Sequence, residues 1–171
     1  MILSDSGRCP WLALVAMRIK LLAVGTRMPA WVEAGVAEYR KRLPAEFSLE
    51  IQEIALAKRG KNTDIRRARQ QEAEALLKAV PRDDVLVALD VEGRAISTEG
   101  LAQKLNEWHM NGQNLSLLIG GPDGLDESCL NQSQQRWSLS AMTLPHPLVR
   151  VLLAEQIYRA WSILQGHPYH R

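Results

Sequence analysis

The chain has 171 residues, 46% hydrophobic and 23% charged, with a formal net charge of +2. That length suits one domain, or one domain plus a tail, and the small charge leaves no global field for nucleic acid, so any such contact has to be local. Its two cysteines, Cys9 and Cys129, make neither a disulfide framework nor a zinc site and fit reduced thiols in a cytoplasmic protein, and no apolar run approaches the roughly 20 residues of a membrane span.

The first sixteen residues differ from the rest of the chain. They hold Arg8-Cys-Pro-Trp11 and a short apolar stretch, and one Arg with so short a run makes a poor signal peptide. The reading is an upstream extension over 1–16, poorly ordered, with Met17 as the natural start and a domain over 17–171. Residues 18–24 read as a buried strand ending at Gly25. Helical spacing covers 29–43, with Pro29 near its start and Pro44 beyond its end. Residues 48–54 alternate as a strand, and Asn62 is a suitable N-cap for a helix to Ala79. A third strand, 85–89, is apolar throughout and therefore covered on both faces. Ser97 caps a helix to about Met110, and 115–119 form a fourth strand. A glycine turn, 120–124, precedes a short helix from about Asp126. A strand-like run, 137–142, breaks at the prolines of 143–147, and a long helix comes next with Pro147 in its first turn. This alternation predicts an α/β domain with a mainly parallel sheet and helices on both faces.

In such sheets ligands bind beyond the C-terminal strand ends. Three loops emerge there: after Leu89, after Ile119 and after Met142. Gly120, Gly121 and Gly124 have the wrong spacing for a dinucleotide fingerprint, but paired glycines allow close approach to the backbone. The long helix confines Glu155, Gln156, Arg159 and Ser162 to one polar sector and is apolar over most of the rest. That is too much apolar surface for one contact, so the helix should pack on the sheet and also on a second copy. Arg150 falls inside the apolar face, either snorkelling to water or aimed at a partner or anionic ligand. Lys58, Arg59, Lys61, Arg66, Arg67 and Arg69 form the one dense basic cluster, readable equally as a solvated face or an RNA-backbone contact. The tail holds His167, Tyr169, His170 and Arg171, able to move protons, stack on a base or hold phosphate. His146 lies between two prolines at a helix start, where its pKa should fall; it reads as a base or as a structural contact. No triad spacing, metal-ligand cluster or Walker motif is present. The residues alone therefore reach a dimeric α/β protein with a three-loop pocket, not a reaction.

Five motifs in order carry a resemblance: Lys58-Arg-Gly-Lys-Asn62, Leu117-Leu-Ile-Gly-Gly-Pro-Asp-Gly124, Leu139-Ser-Ala-Met-Thr-Leu-Pro-His-Pro147, Glu155-Gln-Ile-Tyr-Arg-Ala-Trp161 and His167-Pro-Tyr-His-Arg171. Over 17–171 the chain resembles the SPOUT methyltransferases and, within them, the ribosomal RNA large subunit methyltransferase H family. The resemblance implies an α/β knot, a deep C-terminal trefoil that general topology rules would reject. It implies a homodimer with each active site at the subunit interface, and S-adenosylmethionine as cofactor. The substrate would be a pseudouridine of 23S rRNA, methylated at N3 on assembled ribosomes. Leu89, Gly120, Gly121, Leu139, Ser140, Ala141, Met142, Thr143 and Leu144 would line the cofactor. Tyr169, His170 and Arg171 would reach the base, with His146 or His170 assisting proton loss. With Arg171 as the last residue its own carboxylate would lie close by, which would weaken a phosphate contact. Lys58, Arg59, Lys61, Arg66 and Arg150 would meet RNA. A SPOUT enzyme acting on tRNA and a non-catalytic RNA-binding module are the alternatives.

Overall fold

The computed structural model describes residues 15–171. The expected extension lies outside them except for Val15 and Ala16; the Val15 carbonyl accepts from Nε2 of the buried His109 at 2.6 Å. The elements are β1 Met17–Val24, α1 Ala30–Arg40, β2 Phe47–Ile54, α2 Ile65–Ala79, β3 Val85–Ala95, α3 Thr98–Met110, β4 Leu115–Ile119, α4 Glu127–Gln132, β5 Gln135–Ser138 and α5 His146–Leu164, then a 3-10 turn at Pro168–His170. The five strands form one sheet in the order β2-β1-β4-β3-β5, and every neighbouring pair is parallel.

Strand side chains alternate between faces, so the sheet feeds two cores. Leu21, Val87 and Leu117 point to the side covered by α1, α3 and α5. Their neighbours Leu22, Leu86 and Leu118 point to the side covered by α2 and α4. This explains why β3 reads as an unbroken apolar run as far as Leu89, and β4 as one interrupted by Ser116 alone. At the sheet's N-terminal edge, Asp84 accepts from Arg18 Nη2 at 2.8 Å and from Ser116 Oγ at 2.7 Å, joining the entries of β1, β3 and β4.

Three expectations need correction. The N-cap of α2 is Asp64, whose carboxylate accepts from the N–H groups of Arg66 and Arg67, rather than Asn62. β3 does not stop at Leu89. Residues 90–93 bulge out, and Arg94 rejoins Trp137, which Leu89 already pairs. Gly93 makes this possible, since a Cβ there would lie 2.7 Å from the Trp137 backbone carbon. β5 ends at Ser138 rather than Met142, and the chain then turns. Ser138 Oγ donates to the Ser140 carbonyl at 3.1 Å, and the Met142 N–H to Ser140 Oγ at 2.9 Å.

The broad apolar surface of α5 is largely satisfied within the chain, because the helix lies on the sheet between α1 and α3. Gly35 of α1 lets Val151 approach, with room for a Cβ only 3.0 Å from Val151 Cγ1. Thr98 Oγ1 at the start of α3 donates to Gln156 Oε1 at 2.7 Å. One turn before the Gly35–Val151 contact, Trp31 and Leu148 remain exposed.

Candidate active site

A cavity of about 320 Å³ opens at the C-terminal ends of β3, β4 and β5. Such a volume admits a small molecule. All three loops expected there contribute. Of the cofactor-lining residues named from the sequence, Leu89, Gly120, Gly121, Leu139, Ser140, Met142, Thr143 and Leu144 line it, while Ala141 does not. His146 lines it too. Asp90, Ser138 and Trp137 were not foreseen; the first two adjoin lining residues, and Trp137 forms part of the wall while stacking on Trp108 at 5.8 Å. Backbone groups of the loops, three hydroxyls and aliphatic walls suit a flat heterocycle with a polar sugar.

The glycine turn is shaped by its own packing. Gly121 and Gly124 form an isolated bridge, and the Gly124 N–H donates to the Gly121 carbonyl at 3.0 Å. A Cβ on Gly120 would meet the Gly124 carbonyl carbon at 2.7 Å. The turn needs glycine to close, whatever it presents to a ligand. It is also clamped from outside. Arg59 donates to Asp123 Oδ2 at 2.7 Å and to Glu72 Oε1 at 2.5 Å, and Arg69 donates to the Leu125 carbonyl at 2.5 Å. Arg59 is therefore a brace between the basic loop and the cavity wall. Lys58, Lys61, Arg66 and Arg67 stay exposed or half-exposed beside it.

Loop 139–145 delivers the chain into α5. His146 begins that helix, and its Nδ1 is buried without a hydrogen-bond partner. Burial, and then the positive charge of Arg150, lower its pKa below the ordinary 6.5, so the ring is neutral near pH 7. The direction agrees with the sequence argument, while the leading cause is burial rather than the helix dipole. Arg150 is 2% exposed and turned inward. Its Nη1 donates to Glu53 Oε1 at 2.8 Å and its Nη2 to the Gly25 carbonyl at 2.7 Å. It neither snorkels nor reaches outward, so the grouping with RNA contacts gives way to an interior role, stitching α5 to the ends of β1 and β2.

The tail lies apart from the cavity. Tyr169 packs edge-on to Tyr158 at 4.7 Å, sits under the Arg159 guanidinium at 4.9 Å and donates from its hydroxyl to Glu155 Oε1 at 3.2 Å. Arg159 Nε also donates to Glu155 Oε1, at 2.8 Å, so the polar sector of α5 is the seat of the tail. Burial, a hydrogen bond with Tyr39 and the Glu155 charge push the Tyr169 phenol up to about 12, so it keeps its proton at neutral pH and offers it in hydrogen bonds. His170 Nδ1 is 2.6 Å from the His167 carbonyl, and Arg171 is exposed. Tyr169, His170 and Arg171 do not line the cavity. Glu155 comes nine positions after His146, which is about 13 Å along a helix axis and about half a revolution around it. The four proposed catalytic residues thus fall into two groups on opposite sides of α5.

No helix of the described residues is long and apolar enough to cross a membrane, and among them no group of three His, Cys, Asp or Glu could hold a metal ion.

Comparison with known proteins agrees with this architecture. The family model described as "Predicted SPOUT methyltransferase" matches residues 17–170. A ribosomal RNA large subunit methyltransferase H from Chromohalobacter salexigens is 58% identical over 155 residues, covering 91% of this chain and 100% of the relative. The protein of the same name from a Marinomonas species is 54% identical with the same coverage. Among solved structures, a probable methylase family protein from Haemophilus influenzae superposes with a TM-score of 0.52 at 12% identity, covering 91% of this chain and 70% of that one, a likeness of fold. The three-loop cavity at the strand ends and the family match over nearly all of the described chain lead to one conclusion: the chain belongs to the SPOUT methyltransferase family.

Proposed function

We propose that the protein transfers a methyl group from S-adenosylmethionine to N3 of a pseudouridine in 23S rRNA, as a cytoplasmic homodimer acting on assembled ribosomes. The observation that carries the reading is the division of protic groups by α5: His146 faces the cavity, and Tyr169, His170 and Arg171 sit on the far side. A second copy related by a two-fold axis brings one chain's tail to the other chain's cavity. The exposed pair Trp31 and Leu148 offers apolar surface for that contact. The relatives' name, ribosomal RNA large subunit methyltransferase H, supports the substrate class. The family's C-terminal knot belongs to the same reading and would wrap loop 139–145 around the donor.

The cavity suits this donor: its orphaned imidazole nitrogen, hydroxyls and aliphatic walls leave room for adenine and ribose. Leu89, Gly120, Gly121, Leu139, Ser140, Met142, Thr143 and Leu144 would hold it, with Ala141 shaping the loop. S-adenosylmethionine supplies an electrophilic methyl group on sulfur. The protein aligns the acceptor nitrogen and excludes water. His146, neutral near pH 7, is placed to accept the N3 proton, since a base must be deprotonated to act. Tyr169 remains protonated and donates to the base, while His170 and Arg171 hold its surroundings. Lys58, Lys61 and Arg66 take up rRNA phosphates.

The test is transfer of isotope-labelled methyl to undermethylated ribosomes, with mass mapping of the product nucleoside. N3-methylpseudouridine in 23S rRNA is the expected result. Labelling of isolated tRNA instead, or ribosome binding indifferent to the donor, refutes the proposal. Mixed dimers add a second arm. A chain lacking 169–171 and a chain with a blocked cavity, each inactive alone, should recover activity together.

A further inference from the structure

Among the described residues that line the cavity, two have ionisable side chains, Asp90 and His146. Asp90 has the one carboxylate. It stands where β3 leaves its register with β5, in the bulge that Gly93 closes against Trp137. It has no hydrogen bond or ion pair with any described residue, whereas Asp123, Asp84 and Asp126 all do. Asp90 is partly shielded, between the half-buried Leu89 and the exposed Val91. A half-exposed carboxylate in a cavity wall, with no partner of its own, is free to pair with a cationic ligand.

We infer that Asp90 recognises the positive charge of the methyl donor, and so is a specificity-determining residue of this cavity. The inference rests on the reading of the cavity as the S-adenosylmethionine site. That donor has two cationic groups, the sulfonium and the α-ammonium, and nothing else in the wall opposes them with a formal charge. Ribose hydroxyls, the other natural partner of a strand-end acid, have neutral partners available in Ser138, Ser140 and Thr143. The Ser138 hydroxyl donates to the Ser140 carbonyl and the Ser140 hydroxyl accepts from the Met142 N–H, yet each oxygen keeps accepting capacity. The bulge gives the carboxylate its position: a straight β3 would carry Asp90 on along the β5 edge.

The experiment is titration calorimetry of the full chain and of Asp90→Asn with three ligands. S-adenosylmethionine has both cationic groups, S-adenosylhomocysteine only the ammonium, and 5′-methylthioadenosine neither. The substitution should weaken S-adenosylmethionine roughly two- to fivefold, the scale of one partly exposed charge pair, and leave methylthioadenosine unchanged. Loss for S-adenosylmethionine alone assigns the sulfonium; loss for S-adenosylhomocysteine as well assigns the ammonium. Equal loss for all three ligands overturns the inference in favour of a ribose contact, and no loss for any overturns it outright. If the unaltered chain binds none of them, the reading of the cavity fails instead. Circular dichroism and the urea midpoint establish that Asp90→Asn is folded. Asp90→Glu, which keeps the charge, should restore part of the preference for charged ligands.

Discussion

Arg150→Met separates an interior brace from an RNA contact. Methionine keeps most of the side-chain stem and removes the guanidinium. The Nη2 bond to the Gly25 carbonyl, 2.7 Å long and buried, contributes about 1.5–3 kcal/mol as a charged hydrogen bond. The pair with Glu53 adds about 1 kcal/mol or less, because the Glu53 side chain is 35% exposed and water replaces part of the interaction. The substitution should therefore cost about 2–4 kcal/mol, a large share of a domain's usual stability of roughly 5–15 kcal/mol. With a urea slope of about 2 kcal/mol per molar, the midpoint should fall by about 1–2 M. Arg150→Lys should fall between, keeping the charge and losing the second bond. The companion assay is rRNA affinity against salt, measured where each protein remains folded. An interior Arg150 leaves the slope of log affinity on log salt unchanged. A urea midpoint equal to that of the parent, with a slope shallower by about 0.7–0.9, would refute the reasoning and return Arg150 to the RNA surface.

Replacing Lys58, Lys61 and Arg66 together by alanine should make the same salt slope shallower by about 2–3, since each removes one phosphate contact, and leave the urea midpoint nearly unchanged. Gly93→Ala puts a methyl group into the Trp137 backbone at 2.7 Å, so β3 and β5 must part; a loss of about 1–3 kcal/mol in urea melts and weakened donor binding by calorimetry are expected. Asp84→Ala leaves the buried Ser116 hydroxyl without its acceptor and Arg18 without its partner; with the Arg18 side chain 34% exposed, the pair adds about 1 kcal/mol or less and the stranded hydroxyl about 1–3 kcal/mol, so a loss of about 1–4 kcal/mol in urea melts is expected. His146 has a lowered pKa in the folded chain, so the unfolded chain takes its proton first. Its contribution is intact above about pH 6.5 and is lost as the pH falls below that value. His146→Gln should therefore lose less stability than the parent between about pH 7.5 and pH 5.5, and a parallel loss would show that His146 does not titrate in this way.

What could be read without coordinates depends on how local each signal is. The start of β3 and β4 are legible because both faces are covered, leaving apolar runs that only Ser116 interrupts. Ser97 is legible as a cap because a cap is a contact within three residues. Asn62 and Asp64 are hard to tell apart because both side chains can satisfy a first turn and only the backbone path decides. Residues 139–142 imitate a strand, but a strand exists only where a neighbour supplies a ladder, and β3 ends at Ala95 opposite Ser138. Arg150 shows the same limit. A helical wheel tells which way it points, not that Glu53 and the Gly25 carbonyl wait there from 97 and 125 residues away. The cavity's membership was readable through motif resemblance; Asp90 was not, since its meaning depends on a bulge set by Gly93 and Trp137.

One helix bears the cavity's imidazole near its first turn and, about half a revolution around, the carboxylate that grips the tail. A twist of this rod about its long axis swings the two in opposite directions. Any sequence drift that rolls α5 against α1 or α3 is thus felt at both places at once. The packing of Gly35 on Val151 and the Thr98–Gln156 bond, neither of them in the cavity wall, set the alignment of both halves together.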